Sequence, residues 1–161
     1  MIFVTVGTLP FDRLIRKIDE IAPNIDKEFI MQIGKSSYRP INTKYFQFTK
    51  NFSEIDYLIR SSELVIAHGG IGSIIKILEN KKPSIVVPRN KRYDKVIDDH
   101  QLEIIDFLSS QKKIIKITDL NKIYDTIENI RIGDLNIFAD NSLILYLKNI
   151  IENMDAKNDQ D

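Results

Sequence analysis

The segment Val65-Ile66-Ala67-His68-Gly69-Gly70-Ile71-Gly72-Ser73 holds the groups in this chain best suited to bind an anion. An apolar run ends in a glycine cluster with His68 at its lip. Ile74, Ile75 and Leu78 follow at helical spacing. That order reads as a strand, a tight turn and a helix N-terminus. The first amides of a helix lack intrahelical acceptors, and glycines let a phosphate approach them closely. Downstream, Asp98-Asp99-His100-Gln101 forms a second polar cluster. Together the two clusters suit a nucleotide diphosphate. Each also has a plainer reading. The glycines fit a tight turn with close helix–sheet packing. His68 fits a hydrogen-bonded structural residue, Ser73 a first-turn helix residue, and the acidic run an N-cap for the next helix.

Other chemistries find less support. Gly34-Lys35-Ser36 lacks the earlier glycine of a P-loop, since Phe29 stands there. The turn after the first strand, Gly7-Thr8-Leu9-Pro10, has one glycine, too few for a dinucleotide fingerprint. His68 and His100 are the only histidines and form no His-x-x-x-His pair, so a zinc site is not expected. There is no Gly-x-Ser-x-Gly elbow for a serine hydrolase. Lys81, Lys82, Arg89, Lys91, Arg92 and Lys95 flank the glycine cluster as a mostly solvated basic face. One or two of them, Arg89 foremost, are candidates to neutralise a diphosphate or to face anionic lipid.

The 161 residues suffice for one domain with a full core. Lys+Arg and Asp+Glu number 23 each, so no basic excess points to nucleic acid. The absence of cysteine excludes disulfides and thiolate metal sites and permits a cytosolic location. No apolar run approaches the length of a spanning helix. The N-terminal Met1-Ile2-Phe3-Val4-Thr5-Val6-Gly7 has no basic lead-in and reads as a first strand, not a signal peptide.

These residues need elements to position them. Strands are predicted over 2–6, 28–33, 45–49, 63–67, 84–87 and 113–117. Helices are predicted from Asp12 to Pro23, from a Ser53 cap through Ser61, and over 72–80, 100–110, 119–129 and 141–154. This alternation gives an α/β fold, a Rossmann-like parallel sheet with helices on both faces. Ligands on such sheets sit beyond the carboxyl ends of the strands. A single domain is expected over 1–154, with 155–161 too polar to order itself. The last helix offers an apolar stripe, Leu143, Ile144, Leu147, Ile150 and Ile151, for its own sheet or for a partner.

The ordered motifs resemble a known family. They are Val4-Thr5-Val6-Gly7-Thr8 with Pro10-Phe11-Asp12-Arg13-Leu14-Ile15, then His68-Gly69-Gly70-Ile71-Gly72-Ser73, Pro83-Ser84-Ile85-Val86-Val87-Pro88, and Asp99-His100-Gln101-Leu102-Glu103. Over roughly residues 1–110 the chain resembles the C-terminal domain of glycosyltransferase family 28. It is most similar there to the small stand-alone subunits of two-component exopolysaccharide and capsule transferases. It also resembles the cytosolic catalytic subunit of the dolichol-linked GlcNAc transferase. The resemblance implies half of a GT-B enzyme that binds a UDP-sugar donor and needs no cofactor or obligatory metal. A membrane-anchored subunit would supply the acceptor domain, and the acceptor would be a polyprenyl-diphosphate-linked glycan. The chain would be cytoplasmic, recruited by that partner to the inner face of the membrane. A non-catalytic activating subunit is the alternative.

Carried over by position, the resemblance places Gly7 and Thr8 beside the diphosphate and Asn51, Phe52 and Ser53 at the uracil. It places His68, Gly69, Gly70, Gly72 and Ser73 at the phosphate loop, and Asp99, His100 and Gln101 at the sugar and phosphates. The family's ribose-binding glutamate would fall at Lys76, with Glu79 as its substitute one turn on. Position 81, often glycine in relatives, is Lys81. The resemblance assigns no catalytic base to this chain.

Overall fold

The structure is a computed structural model and describes residues 1–49, 51–90, 94, 99–137 and 141–158. Six parallel strands form one sheet in the order β3-β2-β1-β4-β5-β6. They are β1 (Ile2–Thr5), β2 (Phe29–Gln32), β3 (Lys44–Phe46), β4 (Leu64–Ala67), β5 (Ser84–Val86) and β6 (Ile115–Lys116). The helices are α1 (Asp12–Ile21), α2 (Phe52–Ser61), α3 (Ile71–Glu79), α4 (Asp99–Ser110), α5 (Ile123–Asn129) and α6 (Asn141–Asn158).

The central strands are apolar on both sides, as a sheet covered on two faces requires. Ile2 and Val4 of β1, with Leu64 and Ile66 of β4, pack under Leu14, Ile15 and Ile18 of α1 and Ile123 and Ile127 of α5. On the other face, Phe3, Val65 and Ala67 meet Leu58 and Ile59 of α2 and Ile77 of α3. Val86 lies with Ile74 and Leu78 of α3, Ile105 of α4 and Leu147 of α6. The stripe on α6 therefore packs within the domain and leaves Leu145 and Tyr146 on the exposed side.

The chain runs from β1 outward to β2 and β3, then returns to β4 on the other side of β1. The register pairs Thr5 with Ala67. The loops leaving β1 and β4 therefore emerge side by side, at the point where a crevice opens on such a sheet.

No helix lies between β2 and β3 among the described residues. Side chains secure this connection instead. Asp19, fully buried, accepts hydrogen bonds from the amides of Ile41 and Asn42 and the hydroxyls of Tyr38 and Thr43. The Ser36 hydroxyl accepts from the Phe11 amide at 2.9 Å.

Several predicted boundaries move. β3 starts one residue earlier than predicted and stops at Phe46, and β6 shrinks to two residues. Pro23 converts the end of α1 into a short 3-10 turn at Ala22–Asn24. The cap of α2 is Asn51, not Ser53. Its side chain accepts from the Ser53 amide at 3.1 Å. The last helix continues through Asn158, so residues 155–158 are helical where a tail was predicted.

Candidate functional site at the β1–β4 rim

Helix α3 opens with Gly70 at its N-cap and no side-chain cap. The amides of Ser73 and Ile74 reach the Gly70 carbonyl. Those of Ile71 and Gly72 meet no acceptor among the described residues. A Cβ placed on Gly72 would meet no atom within 4 Å among the described residues, so its side-chain position is open. Ser73, half-buried, sits beside it in the first turn. Two free amides and the positive end of a helix dipole form a seat for an anion.

The neighbouring glycines serve a different purpose. His68 turns its ring between Gly7 and Gly70. A Cβ on Gly70 would lie 2.4 Å from Nε2, and one on Gly7 would lie 2.9 Å from Cε1. These two glycines therefore make room for the imidazole. Gly69, at φ +91°, would drive a Cβ to 2.7 Å from Ile105 of α4, so it supports helix–sheet packing. Gly34, at φ +53°, would drive one to 2.3 Å from the Gly7 carbonyl oxygen. The first and second loops are thus in direct backbone contact, and the Lys35 amide also donates to the Thr8 carbonyl at 3.1 Å. Thr8 itself is exposed on the rim.

The His68 ring nitrogen Nδ1 lies 3.3 Å from the Thr5 carbonyl oxygen. Burial and the positive charge of Arg89 push the imidazole pKa down to about 4, against the smaller opposing effect of that hydrogen bond. The ring is therefore neutral at physiological pH.

Two expected site residues lie elsewhere. Arg89 turns inward and is 8% exposed. Its Nη2 donates to the Val6 carbonyl at 2.8 Å and the Leu9 carbonyl at 3.0 Å. Its guanidinium lies 4.9 Å from the Phe11 ring centroid. It clamps the loop after β1 onto the turn after β5, and its charge is felt by His68. Glu79 sits at the far end of α3 and pairs with Lys148 of α6 at 2.6 Å. It is no substitute at the rim for a ribose-binding carboxylate. Lys76 lies midway along α3, half-buried.

Asn51 belongs to the exposed loop after β3, where Thr49 and Ser53 satisfy it. Gln101 is half-buried in the first turn of α4. The side chains of Phe52, Asp99 and His100 lie outside the described residues, as do Asp98, Lys91, Arg92 and Lys95.

Sequence reasoning missed Arg13. Its guanidinium forms a two-pronged pair with Asp94, with Nη2–Oδ2 at 2.9 Å, and also donates to the Pro88 carbonyl. The spacing of 81 residues between Arg13 and Asp94 leaves no local signal for that contact. Among the described residues no group of three or more His, Asp or Glu side chains is placed to hold a metal.

The site and sheet define a Rossmann-like domain equivalent to the C-terminal half of a GT-B glycosyltransferase. The chain belongs to the glycosyltransferase family 28 C-terminal domain, which matches residues 1–144. It is 34% identical over 116 residues to the human UDP-N-acetylglucosamine transferase subunit ALG13, covering 64% of this chain and 10% of that protein. It is 39% identical over 59 residues to the UDP-N-acetylglucosamine--N-acetylmuramyl-(pentapeptide) pyrophosphoryl-undecaprenol N-acetylglucosamine transferase of Prochlorococcus marinus, covering 35% of this chain and 16% of that one. Among solved structures, MurG of Acinetobacter baumannii superposes with a TM-score of 0.60 at 16% identity, over 83% of this chain and 42% of that one. The chain thus spans about a tenth of the human relative and less than half of the solved enzyme.

Proposed function

We propose that this chain is the donor-binding subunit of a two-component inverting glycosyltransferase. It holds a UDP-sugar, carrying a hexosyl or N-acetylhexosaminyl group, at the β1–β4 rim. A membrane-anchored partner supplies the acceptor domain and presents a polyprenyl-diphosphate-linked glycan. The setting is surface polysaccharide assembly, such as exopolysaccharide or capsule, at the cytoplasmic face of the membrane. The observation that carries this reading is the bare N-terminus of α3, with Gly72 open to its surroundings, beside the switch point of a family 28 domain.

Two further points support it. The human relative is named as a subunit, and the Prochlorococcus relative is named for a pyrophosphoryl-undecaprenol acceptor. No helix among the described residues is long and apolar enough to cross a membrane, and an anchored partner would hold the chain beside a lipid-linked acceptor.

The chemistry follows from the seat. As the glycosidic bond to the donor breaks, negative charge grows on the leaving UDP. The Ile71 and Gly72 amides and the α3 dipole stabilise that charge without reorganising. The base that deprotonates the acceptor hydroxyl lies on the partner or at the cleft, and no residue of this chain is named for it.

Mapping of backbone amide shifts with UDP and UDP-sugars tests the reading. Perturbations are expected at residues 7–10, 51–53 and 68–73. Their absence, or their appearance at the opposite edge of the sheet, overturns it.

A second reading has one observation in its favour. Lys76 stands where the family resemblance implies a carboxylate, and Glu79 is engaged by Lys148. An activating subunit that binds nucleotide poorly would tolerate that change. A negligible UDP affinity with retained activation of a membrane-bound transferase would select it.

A further inference from the structure

The two ring nitrogens of His68 have different roles. Nδ1 lies 3.3 Å from the Thr5 carbonyl oxygen. A carbonyl only accepts, so in the neutral ring the proton sits on Nδ1 and Nε2 carries a lone pair. Nε2 lies against the N-cap of α3, where a Cβ on Gly70 would stand 2.4 Å from it. No described residue hydrogen-bonds to Nε2. A lone pair beside an anion seat repels phosphate oxygens. While Nδ1 keeps its bond to the Thr5 carbonyl, the ring becomes a donor at Nε2 only by gaining a proton.

We propose that a nucleoside-diphosphate ligand binds this chain together with one proton, taken up by His68, whose Nε2 then donates to a phosphate oxygen. This rests on the donor-site reading above and adds the protonation state of the complex to it.

The charges around the ring agree with this. The turn after β5 contributes Arg89, whose positive charge disfavours a cationic ring. Beyond it, Arg13 is matched by Asp94. Strand β1 offers the Thr5 carbonyl but no carboxylate, and α3 carries Lys76 further along. The side chains of Asp99 and His100 in α4 lie outside the described residues. Among the described residues, then, nothing keeps the ring protonated in the free chain. An incoming diphosphate supplies the missing counter-charge and raises the ring's pKa.

The sign of the linkage follows. Between the free pKa of about 4 and the higher pKa of the complex, affinity rises as pH falls, by up to about tenfold per pH unit. Above the complex's pKa it is flat.

The experiment is titration calorimetry of the full chain with UDP-N-acetylglucosamine and UDP-glucose, between about pH 5 and 8 and in buffers of different ionisation enthalpy. Nucleotide sugars are chosen because the terminal phosphate of UDP itself titrates near pH 6 and would confuse the proton count. The expected result is uptake approaching one proton at the acid end, with tighter binding there. In His68→Gln, whose amide donates at every pH, uptake is expected to vanish and affinity to become flat.

Binding without uptake in the wild type, or unchanged uptake in His68→Gln, overturns the inference and leaves the donor site standing. No binding of either sugar nucleotide at any pH overturns both. A ligand-free check guards against a variant that does not fold. Ring 15N shifts of His68 at neutral pH are expected to show Nδ1 protonated and Nε2 bare, and the opposite tautomer overturns the inference.

Discussion

Arg89 Nη2 lies 2.8 Å from the Val6 carbonyl oxygen, across 83 residues of sequence. This contact ties the end of β5 to the loop after β1 and turns a residue with a basic, solvent-facing profile into a buried clamp. Arg89→Lys replaces the planar guanidinium whose Nη2 reaches both Val6 and Leu9, and leaves a buried carbonyl unsatisfied. A loss of about 2–3 kcal/mol in urea-unfolding free energy is expected. If Arg89 bound diphosphate instead, stability would hardly change and nucleotide affinity would fall.

The glycines of the rim divide by function. At Gly72→Val the new side chain enters open space, so unfolding free energy is expected to stay within about 0.5 kcal/mol. UDP-sugar affinity is expected to fall at least about tenfold, since the branched side chain covers the free amides. Gly70→Ala strikes the pinned ring of His68 and is expected to cost about 1–3 kcal/mol of stability. Calorimetric melting and nucleotide titration of both variants separate the two roles.

The Glu79–Lys148 pair lies at the end of α3 away from the rim. Lys148→Ala is expected to change stability by less than about 1 kcal/mol, as a half-exposed ion pair does. It should leave UDP-sugar affinity alone. Lys76→Glu, nearer the rim, is expected to shift donor preference or affinity with little change in melting temperature. Affinities for two or more sugar nucleotides, measured on both variants, check the contrast.

Asp19 gives the fold a pH dependence. Burial alone would raise its pKa. Hydrogen bonds from the Ile41 amide, the Tyr38 hydroxyl, the Asn42 amide and the Thr43 hydroxyl outweigh burial and hold it below the ordinary aspartate value. A lowered folded-state pKa stabilises the fold above the unfolded value, and that stability is lost as pH falls through the folded pKa. Asp19→Asn, which cannot accept all four bonds, is expected to destabilise by about 2–4 kcal/mol at neutral pH. It should also flatten the acid limb of a stability-against-pH curve.

Transfer itself is expected to need two chains. Purified alone, this chain should show no sugar transfer to a lipid-linked acceptor. Activity should appear when a membrane-anchored acceptor subunit is added. A radiolabelled-sugar transfer assay with and without that subunit decides the matter, and efficient transfer by the isolated chain refutes the half-enzyme reading.

Much of the fold was legible because it rests on local pattern. The apolar runs of β1 and β4 and the helical spacing of Leu14, Ile15 and Ile18 need no distant partner to be read. The strand-to-helix turn at His68 was legible for the same reason. What sequence could not reveal depends on contacts across the fold. The direction of Arg89 is set by carbonyls of the first loop, and that of Glu79 by a lysine on the last helix. Gly7 and Gly70 also clear space for a ring that Thr5 holds in place, which their spacing does not announce. Their composition is the same under either use. The shift from Ser53 to Asn51 as the cap of α2 is a choice between two good capping residues that only backbone geometry decides.

The contact between Gly34 and the Gly7 carbonyl limits how this rim can be re-engineered. An alanine at Gly34 meets strain at its positive φ and a backbone oxygen that cannot rotate away. The backbone course of these two loops is effectively a fixed chassis. On the proposed donor-site reading, changes in selectivity belong in side chains that project from it, such as Thr8, Ser73 and Lys76.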